Sequence, residues 1–169
     1  MLKGKISGFL KYLAAFILSV GLLENAASAQ ENVFIMPGEP TVITPGEGVG
    51  VLKLGEPYAS IQKALGDIRP FSFALAENKV DGKELWLSYR DIGIAFAFDY
   101  ETKILERIIV LTPALLVRNT GIHAGSEESE VKKYFKDTGQ GGPADELAYP
   151  GIKFFIKDKR IFAIEIGNR

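Results

Sequence analysis

The chain has 169 residues, of which 20 are basic and 21 acidic, and it contains one histidine and no cysteine. The lack of cysteine excludes disulfide bonds, thiolate catalysis, a cysteine-based zinc site and lipid attachment through an N-terminal cysteine. Because no segment concentrates its basic residues, nucleic acid is not expected as a partner.

Residues 1–29 have the composition of a secretory signal peptide. Three lysines give this segment a cationic start: Lys3, Lys5 and Lys11. The apolar run that follows, residues 12–23, is shorter than the roughly 20 residues that a membrane-spanning helix needs. Small residues then form the pattern that signal peptidase recognises: Ala27, Ser28 and Ala29. We therefore predict cleavage before Gln30, no stable membrane insertion of the mature chain, and a periplasmic or extracellular location.

The mature chain of about 140 residues is long enough to form a hydrophobic core without disulfides. Loss of three lysines and one glutamate with the signal peptide leaves 17 basic and 20 acidic residues, a net charge of −3. Its first segment, residues 30–49, is rich in proline and glycine. We interpret this segment as an extended leader that is partly ordered at Val42 and Ile43.

Three alternating glycines within residues 46–50 invite a phosphate-loop interpretation. However, Lys53 stands where the third glycine of a dinucleotide motif belongs, and the chain contains no Gly-Lys-Ser or Gly-Lys-Thr. The glycines therefore indicate a turn before the first helix, and no nucleotide cofactor is predicted.

Residues 50–118 are predicted to form the first of two repeats. Ile61 and Leu65 stand four residues apart, which places both on one face of a short helix that Gly66 can end. Strands are predicted where apolar residues alternate: at Phe71, Phe73 and Leu75, at Leu85, Leu87 and Tyr89, and at Ile94, Phe96 and Phe98. Residues 108–111 are continuously apolar, which is typical of a central strand covered on both faces, here where the two halves join.

Residues 119–169 are predicted to form the second repeat, because the same apolar positions recur. Gly125 corresponds to Gly55, and on this register Val131 and Phe135 repeat the helix pair of the first half. The strand positions recur as well: Ile152, Phe154 and Ile156, then Ile161, Ile164 and Ile166. The predicted fold class is α+β, with two tandem repeats, each a short helix followed by an antiparallel β-meander, and with the helices on one face of the sheet.

The repeated elements share a pattern: an apolar-x-apolar-Gly turn, a short helix, and strands that begin Gly-Ile-x-Phe at Gly93 and Gly151. Over residues 48–166 this pattern resembles the tandem modules of the β-lactamase inhibitor protein superfold. More loosely, it resembles the small helix-plus-meander domain of outer-membrane assembly lipoproteins. The inhibitor proteins bring disulfides and the lipoproteins a lipidated cysteine, both absent here. The resemblance implies a binding scaffold whose sheet face or loops contact another protein, and it carries over no functional residue.

No catalytic residue and no metal site are predicted. His123 precedes the second helix and corresponds to Lys53 in the first half, which favours an ordinary turn histidine over a general base. The acidic clusters have local explanations: Glu127, Glu128 and Glu130 at the start of a helix, and Asp99 and Glu101 in a hairpin turn. Neither cluster predicts the acidic pair of a glycosidase.

Side chains that point away from the predicted core form a candidate binding face. The alternation that directs Leu85 and Leu87 inward directs five others outward: Trp86, Arg90, Lys153, Phe155 and Lys157. Aromatic and cationic side chains of this kind supply most interface hot spots. The alternative is that a second layer or the leader covers the aromatics.

These patterns predict an exported, non-enzymatic binding module that recognises a protein or a cell-envelope component. Two alternatives stay open, an inhibitor of an exported enzyme that inserts the loop at residues 99–103 into its target, and a hydrolase of cell-wall material. The oligomeric state is open in all three.

Overall fold

The computed structural model describes residues 41–78, 82–135 and 145–167, so the predicted signal peptide and residues 30–40 of the predicted leader lie outside the described residues. Two α-helices occur in these ranges, α1 (Tyr58–Leu65) and α2 (Glu128–Phe135). Seven strands form the larger of two sheets: β4 (Ser72–Asn78), β5 (Gly82–Tyr89), β6 (Ile94–Asp99), β7 (Leu105–Val110), β9 (Glu146–Tyr149), β10 (Ile152–Lys157) and β11 (Arg160–Gly167). Four short strands form the other: β1 (Val42–Thr44), β2 (Gly48–Val49), β3 (Leu52–Lys53) and β8 (Leu116–Val117).

The larger sheet is antiparallel throughout, in the order β4-β5-β6-β7-β11-β10-β9. The predicted α+β class is therefore confirmed. The strand predicted to be central is β7, which pairs with β6 on one side and with β11 on the other. Its residues Ile108, Ile109 and Val110 are buried, as a continuously apolar run predicts for a strand covered on both faces.

Both helices pack on the same face of the larger sheet. Tyr58 of α1 meets Phe98 of β6 edge to face, with ring centroids 5.3 Å apart. Phe135 of α2 meets Phe154 of β10 in the same way at 5.4 Å. Ile61 of α1 and Val131 of α2 are fully buried, and each such side chain stabilises the fold by about 1.5–3 kcal/mol.

The smaller sheet uses the part of the predicted leader that was expected to be ordered. Ile43 of β1 is buried and pairs with Val49 of β2 and, in parallel, with Val117 of β8. Gly48 allows the tight β2–β3 hairpin, because its φ is +148° and a Cβ there would lie 2.0 Å from the carbonyl oxygen of Leu52. The glycine run thus forms turns, as its sequence indicates.

The extra strand predicted from Phe71, Phe73 and Leu75 is also present. It is β4, and its register with β5 pairs Phe73 with Leu87 and Ala74 with Trp86. β4 stands at one edge of the larger sheet, so its other side has no neighbouring strand among the described residues.

Candidate functional site

The larger sheet has a second face, directed away from the helices, and it carries charged side chains on five strands. Register places these side chains together. Trp86 of β5 pairs with Ala97 of β6, which pairs with Arg107 of β7. Glu165 of β11 pairs with Lys153 of β10. We call this surface the polar face and define it by six residues: Glu84, Trp86, Arg107, Glu146, Lys153 and Glu165.

The charges of the polar face alternate in sign along a continuous ion-pair network. Arg107 is ion-paired with Glu84 through Nη2, and its Nη1 lies 3.7 Å from Oε2 of Glu165. The Nζ of Lys153 lies 3.9 Å from Oε1 of Glu165 and 3.6 Å from Oε2 of Glu146. Glu165 is therefore held between two cations at the centre of the network.

Aromatic rings flank both cations. The indole N–H of Trp86 donates to Oε2 of Glu84 at 3.1 Å, and the guanidinium of Arg107 lies 5.0 Å from the Trp86 ring centroid. The ammonium of Lys153 lies 5.6 Å from the ring centroid of Phe155. Both distances are within the range of cation–π attraction.

Glu165 is the most unusual member of the polar face. Only 8% of its surface is exposed, and burial raises the pKa of its carboxyl group, an effect that the charges of Arg107 and Lys153 oppose. Within the described part of the chain, Oε2 of Glu165 has no hydrogen-bond donor. A buried acceptor of this kind costs free energy unless a donor reaches it.

Three of the five residues predicted to bind lie on the polar side of the sheet. Trp86 and Lys153 are half-buried. Phe155 is only 1% exposed, because it packs between strands and against Phe162, whose ring centroid lies 5.9 Å away. Phe155 was predicted to be part of an exposed binding face, but its side chain is covered.

The other two predicted residues lie outside the network. Arg90 belongs to the 3-10 turn Arg90–Ile92, and its guanidinium lies 5.3 Å from the Phe71 ring centroid. Lys157 is exposed at the end of β10, opposite Arg160. Neither forms an ion pair with another described residue of the polar face.

Four residues of the polar face were missed from the sequence: Glu84, Arg107, Glu146 and Glu165. One signal was available for Glu165, because the alternation of Ile164 and Ile166 directs the residue between them to the opposite face of the sheet. The sequence gives no such signal for Glu84, Arg107 and Glu146. These residues come together only through the strand order, which local patterns do not determine.

The hairpin turn at residues 99–103 is held by Asp99. Its Oδ1 accepts hydrogen bonds from the backbone N–H of Thr102 at 2.6 Å, from the Thr102 hydroxyl at 2.7 Å and from the N–H of Glu101 at 3.1 Å. These bonds, those from Thr102 first, lower the pKa of Asp99. The carboxylate is thus engaged within its own turn.

His123 has a similarly local contact, whereas Glu127 at the start of α2 pairs with Arg160 of β11. Nδ1 of His123 lies 2.8 Å from the carbonyl oxygen of Ala124. Among residues 41–78, 82–135 and 145–167, no group of three or more His, Asp or Glu side chains is placed to hold a metal ion. In the same ranges, no helix has the length and apolar character required to cross a bilayer.

Comparison with known proteins gives structural neighbours but no family. No family model and no curated protein matches the chain. One neighbour is the crystal structure of the uncharacterised protein YfeY from Escherichia coli, with 16% identity and a TM-score of 0.50 over 75% of this chain and 99% of that one. Another is an extracellular protein containing an SCP domain from Bacillus anthracis, with 11% identity and a TM-score of 0.42 over 68% of this chain and 44% of that one. The similarity to YfeY concerns the fold alone.

Proposed function

We propose that the mature chain is an exported, non-enzymatic binding module that recognises a protein or a cell-envelope component through the polar face. The observation that carries the proposal is the buried carboxylate of Glu165, whose Oε2 has no hydrogen-bond donor in the described residues. Because Oε2 is buried in the free chain, we infer that a cationic side chain of the partner, a lysine or an arginine, approaches the carboxylates from the half-buried margin of the polar face.

The charge balance of the polar face supports a cationic ligand. Among the described residues, the network contains three carboxylates and two cations: Glu84, Glu146 and Glu165 with Arg107 and Lys153. A cationic group of the partner would be attracted to these carboxylates and would donate a charge-assisted hydrogen bond to one at the margin of the polar face. Such a charge-assisted bond is about twice as strong as a neutral one.

A purely structural role accounts poorly for these charges. Buried ion pairs are weak evidence for stability, because desolvation can exceed the electrostatic gain, and apolar replacements are often neutral or stabilising. The register partner of Glu165 in β7 is Ile109, an apolar residue that is fully buried on the same side of the sheet. An apolar side chain is thus tolerated beside Glu165. This favours a role of the Glu165 carboxylate in partner recognition over a role in stability.

Half-buried residues at the margin of the network supply the accompanying contact surface. Trp86 and Lys153 retain part of their surface, and Ala148, the register partner of Lys153, is also half-buried. Tryptophan is among the residues most often found at binding hot spots.

We further propose that this scaffold arose by duplication of one helix-plus-meander unit. Equivalent hydrogen bonds join each helix start to the last strand of its half, since the N–H of Gly55 donates to Leu105 at 2.8 Å and that of Gly125 to Ile161 at 2.7 Å. The N–H of Tyr58 donates to Lys103 at 2.9 Å, and that of Glu128 to Lys159 at 3.0 Å.

Two irregularities of the sheet also recur at equivalent positions. The register shifts between Ala97 and Phe98 in β6 and between Phe155 and Ile156 in β10. Ile109 and Glu165, which are equivalent in the proposed repeats, are register partners where β7 meets β11. This pairing supports a local two-fold relation between the halves, with Glu165 near its axis.

Export is proposed from the sequence of residues 1–29, whose cationic start, short apolar run and small-residue end are those of a cleavable signal peptide. The partner is accordingly sought in the periplasm or outside the cell.

In vivo photocrosslinking tests the binding proposal. A photoreactive residue replaces Ala148 on the polar face, and a control chain carries it at Tyr134, which is exposed on α2. We expect Ala148 to capture a defined partner that Tyr134 does not, and Glu165→Gln to abolish the capture. Capture of the same species from both positions, or of none from Ala148, contradicts the proposal.

Inhibition of an exported enzyme is a second candidate, favoured by the turn at residues 99–103. Its backbone is fixed by Asp99, and the ammonium of Lys103 lies 3.8 Å from the centroid of the exposed Tyr100 ring. A preorganised loop loses little entropy on entering a cleft. A partner whose capture depends on Tyr100 and is unaffected by Glu165→Gln would favour this function.

A further inference from the structure

The edge strand β4 exposes a stripe of large apolar side chains. We call this stripe the apolar edge and define it by three residues with exposed fractions of 59%, 79% and 56%: Phe71, Phe73 and Leu75. Because side chains two residues apart in a strand share a face, Phe73 and Leu75 lie in one row, and Phe71 stands immediately before the first residue of β4. Contiguous apolar surface of this kind marks an interaction site more often than isolated apolar residues do.

The position of α1 explains why the row is uncovered. Through Tyr58, α1 contacts Phe98 of β6, two strands in from the edge. The neighbouring strand β5 is covered, since Leu87 is buried. The apolar edge therefore lies on the helix side of the sheet but beyond the reach of α1.

The backbone of β4 is as open to pairing as its side chains are. β4 pairs with β5 alone among the described strands, so alternate N–H and C=O groups face away from the sheet. Charge and proline commonly protect an edge strand from another chain. β4 contains no proline, and its one charged residue, Glu77, stands next to its end.

We propose that the apolar edge is a dimer interface, in which β4 pairs antiparallel with β4 of a second copy of this chain about a two-fold axis. The inference is independent of the polar face, which lies on the other side of the sheet. Self-pairing of β4 centred on Phe73 places no like charges opposite one another, because residues 71–75 of the two copies then face each other and are uncharged. It also sets the two apolar rows side by side on one face, with the small residues of both copies on the other.

Symmetry favours this pairing over the alternative edge. Pairing of β4 with β4 is isologous and closes after two copies, whereas β4 against the opposite edge, β9, would propagate into an open filament. In addition, β9 carries Glu146, which is engaged with Lys153.

The small area of the interface favours weak association. The three side chains leave on the order of 400 Å² per copy accessible, taking about 200 Å² for a whole large side chain. A standard stable interface buries about 800 Å² per partner. We therefore expect a weak dimer whose population rises with protein concentration.

Sedimentation equilibrium tests the proposal. The full chain is expressed with its own signal peptide and purified from the compartment to which it is exported. The average mass is expected to rise from one copy towards two with concentration. Phe73→Lys should leave a monomer at every concentration, because it places like charges near the two-fold axis. Tyr134→Lys, which adds the same charge on α2, is the control and should dimerise as the parent does.

Cysteine crosslinking gives a second readout that does not depend on the behaviour of the lysine variant. Because the chain has no cysteine, a single cysteine introduced in turn at Phe71, Phe73 and Leu75 is unique. Mild oxidation should link two copies through at least one of these positions, and not through a cysteine at Tyr134. A parent chain that is monomeric up to its solubility limit, or dimers that persist in Phe73→Lys or form equally through Tyr134, would overturn the proposal.

Discussion

Phe73 and Leu87 are cross-strand partners in β4 and β5, yet Phe73 is 79% exposed and Leu87 only 6%. Both belong to the helix side of the sheet, and the difference arises because the core cluster reaches Leu87 and stops short of the edge. The apolar side chain therefore fills the core in β5 and stays exposed in β4.

This contrast predicts opposite responses to truncation. Leu87→Ala should lower the free energy of unfolding by about 2–5 kcal/mol, because it leaves a cavity in the core. Phe73→Ala should change it by no more than about 0.5 kcal/mol, as expected for a surface position. Urea unfolding at low protein concentration measures both, and a large loss in Phe73→Ala would show that the apolar edge is covered within the monomer.

Arg107 is predicted to be the stability-critical member of the polar face. Arg107→Met removes the cation that lies between the buried carboxylates of Glu84 and Glu165. The substitution should lower the free energy of unfolding by about 3–5 kcal/mol. Arg160→Met is the control, because Arg160 forms an exposed pair with Glu127 and should contribute less than about 1 kcal/mol. Equal effects of the two substitutions on urea unfolding would contradict a buried network.

The raised pKa of Glu165 predicts that ionisation of this residue destabilises the folded chain. Because burial favours its protonated form in the folded chain, the associated stability is present below the ordinary pKa of 4.5 and is lost as pH rises through the folded pKa. Glu165→Gln keeps the shape and removes this titration, so its stability relative to the parent should increase from acidic to neutral pH. Glu130→Gln, at an exposed helix position, controls for the loss of one negative charge.

The lowered pKa of Asp99 predicts the opposite trend for the hairpin turn. Hydrogen bonds from Thr102 and Glu101 stabilise the carboxylate, so this stability is present above the ordinary pKa of 3.8 and is lost as pH falls through the folded pKa. Asp99→Ala should therefore be less stable than the parent at neutral pH, and the difference should shrink in acid. A pH-independent difference between their unfolding midpoints would exclude the carboxylate as its source.

The sequence predicted the elements that local periodicity determines. The four-residue spacing of Ile61 and Leu65 identified α1, and alternation identified β4, β5 and β6. The continuous apolar run at residues 108–111 identified the central strand, because only a strand covered on both faces tolerates it.

What the sequence left undetermined depends on contacts between distant segments. Glu84 and Glu165 are far apart in the sequence and approach Arg107 only through the strand order. Alternation showed that Phe71, Phe73 and Leu75 share a face, but whether that face is covered depends on where α1 packs. The two-residue strands β2, β3 and β8 are too short to produce a periodic signal.

The central claim is that the charge at Glu165 is kept for recognition and not for the fold. It is tested most directly by comparing partner capture from the Ala148 photocrosslinking position in the parent and in Glu165→Gln, alongside the free energy of unfolding of each. Our account predicts that Glu165→Gln is folded and at least as stable as the parent at neutral pH, but no longer captures the partner. A folded Glu165→Gln variant that captures the same partner to the same extent would contradict it.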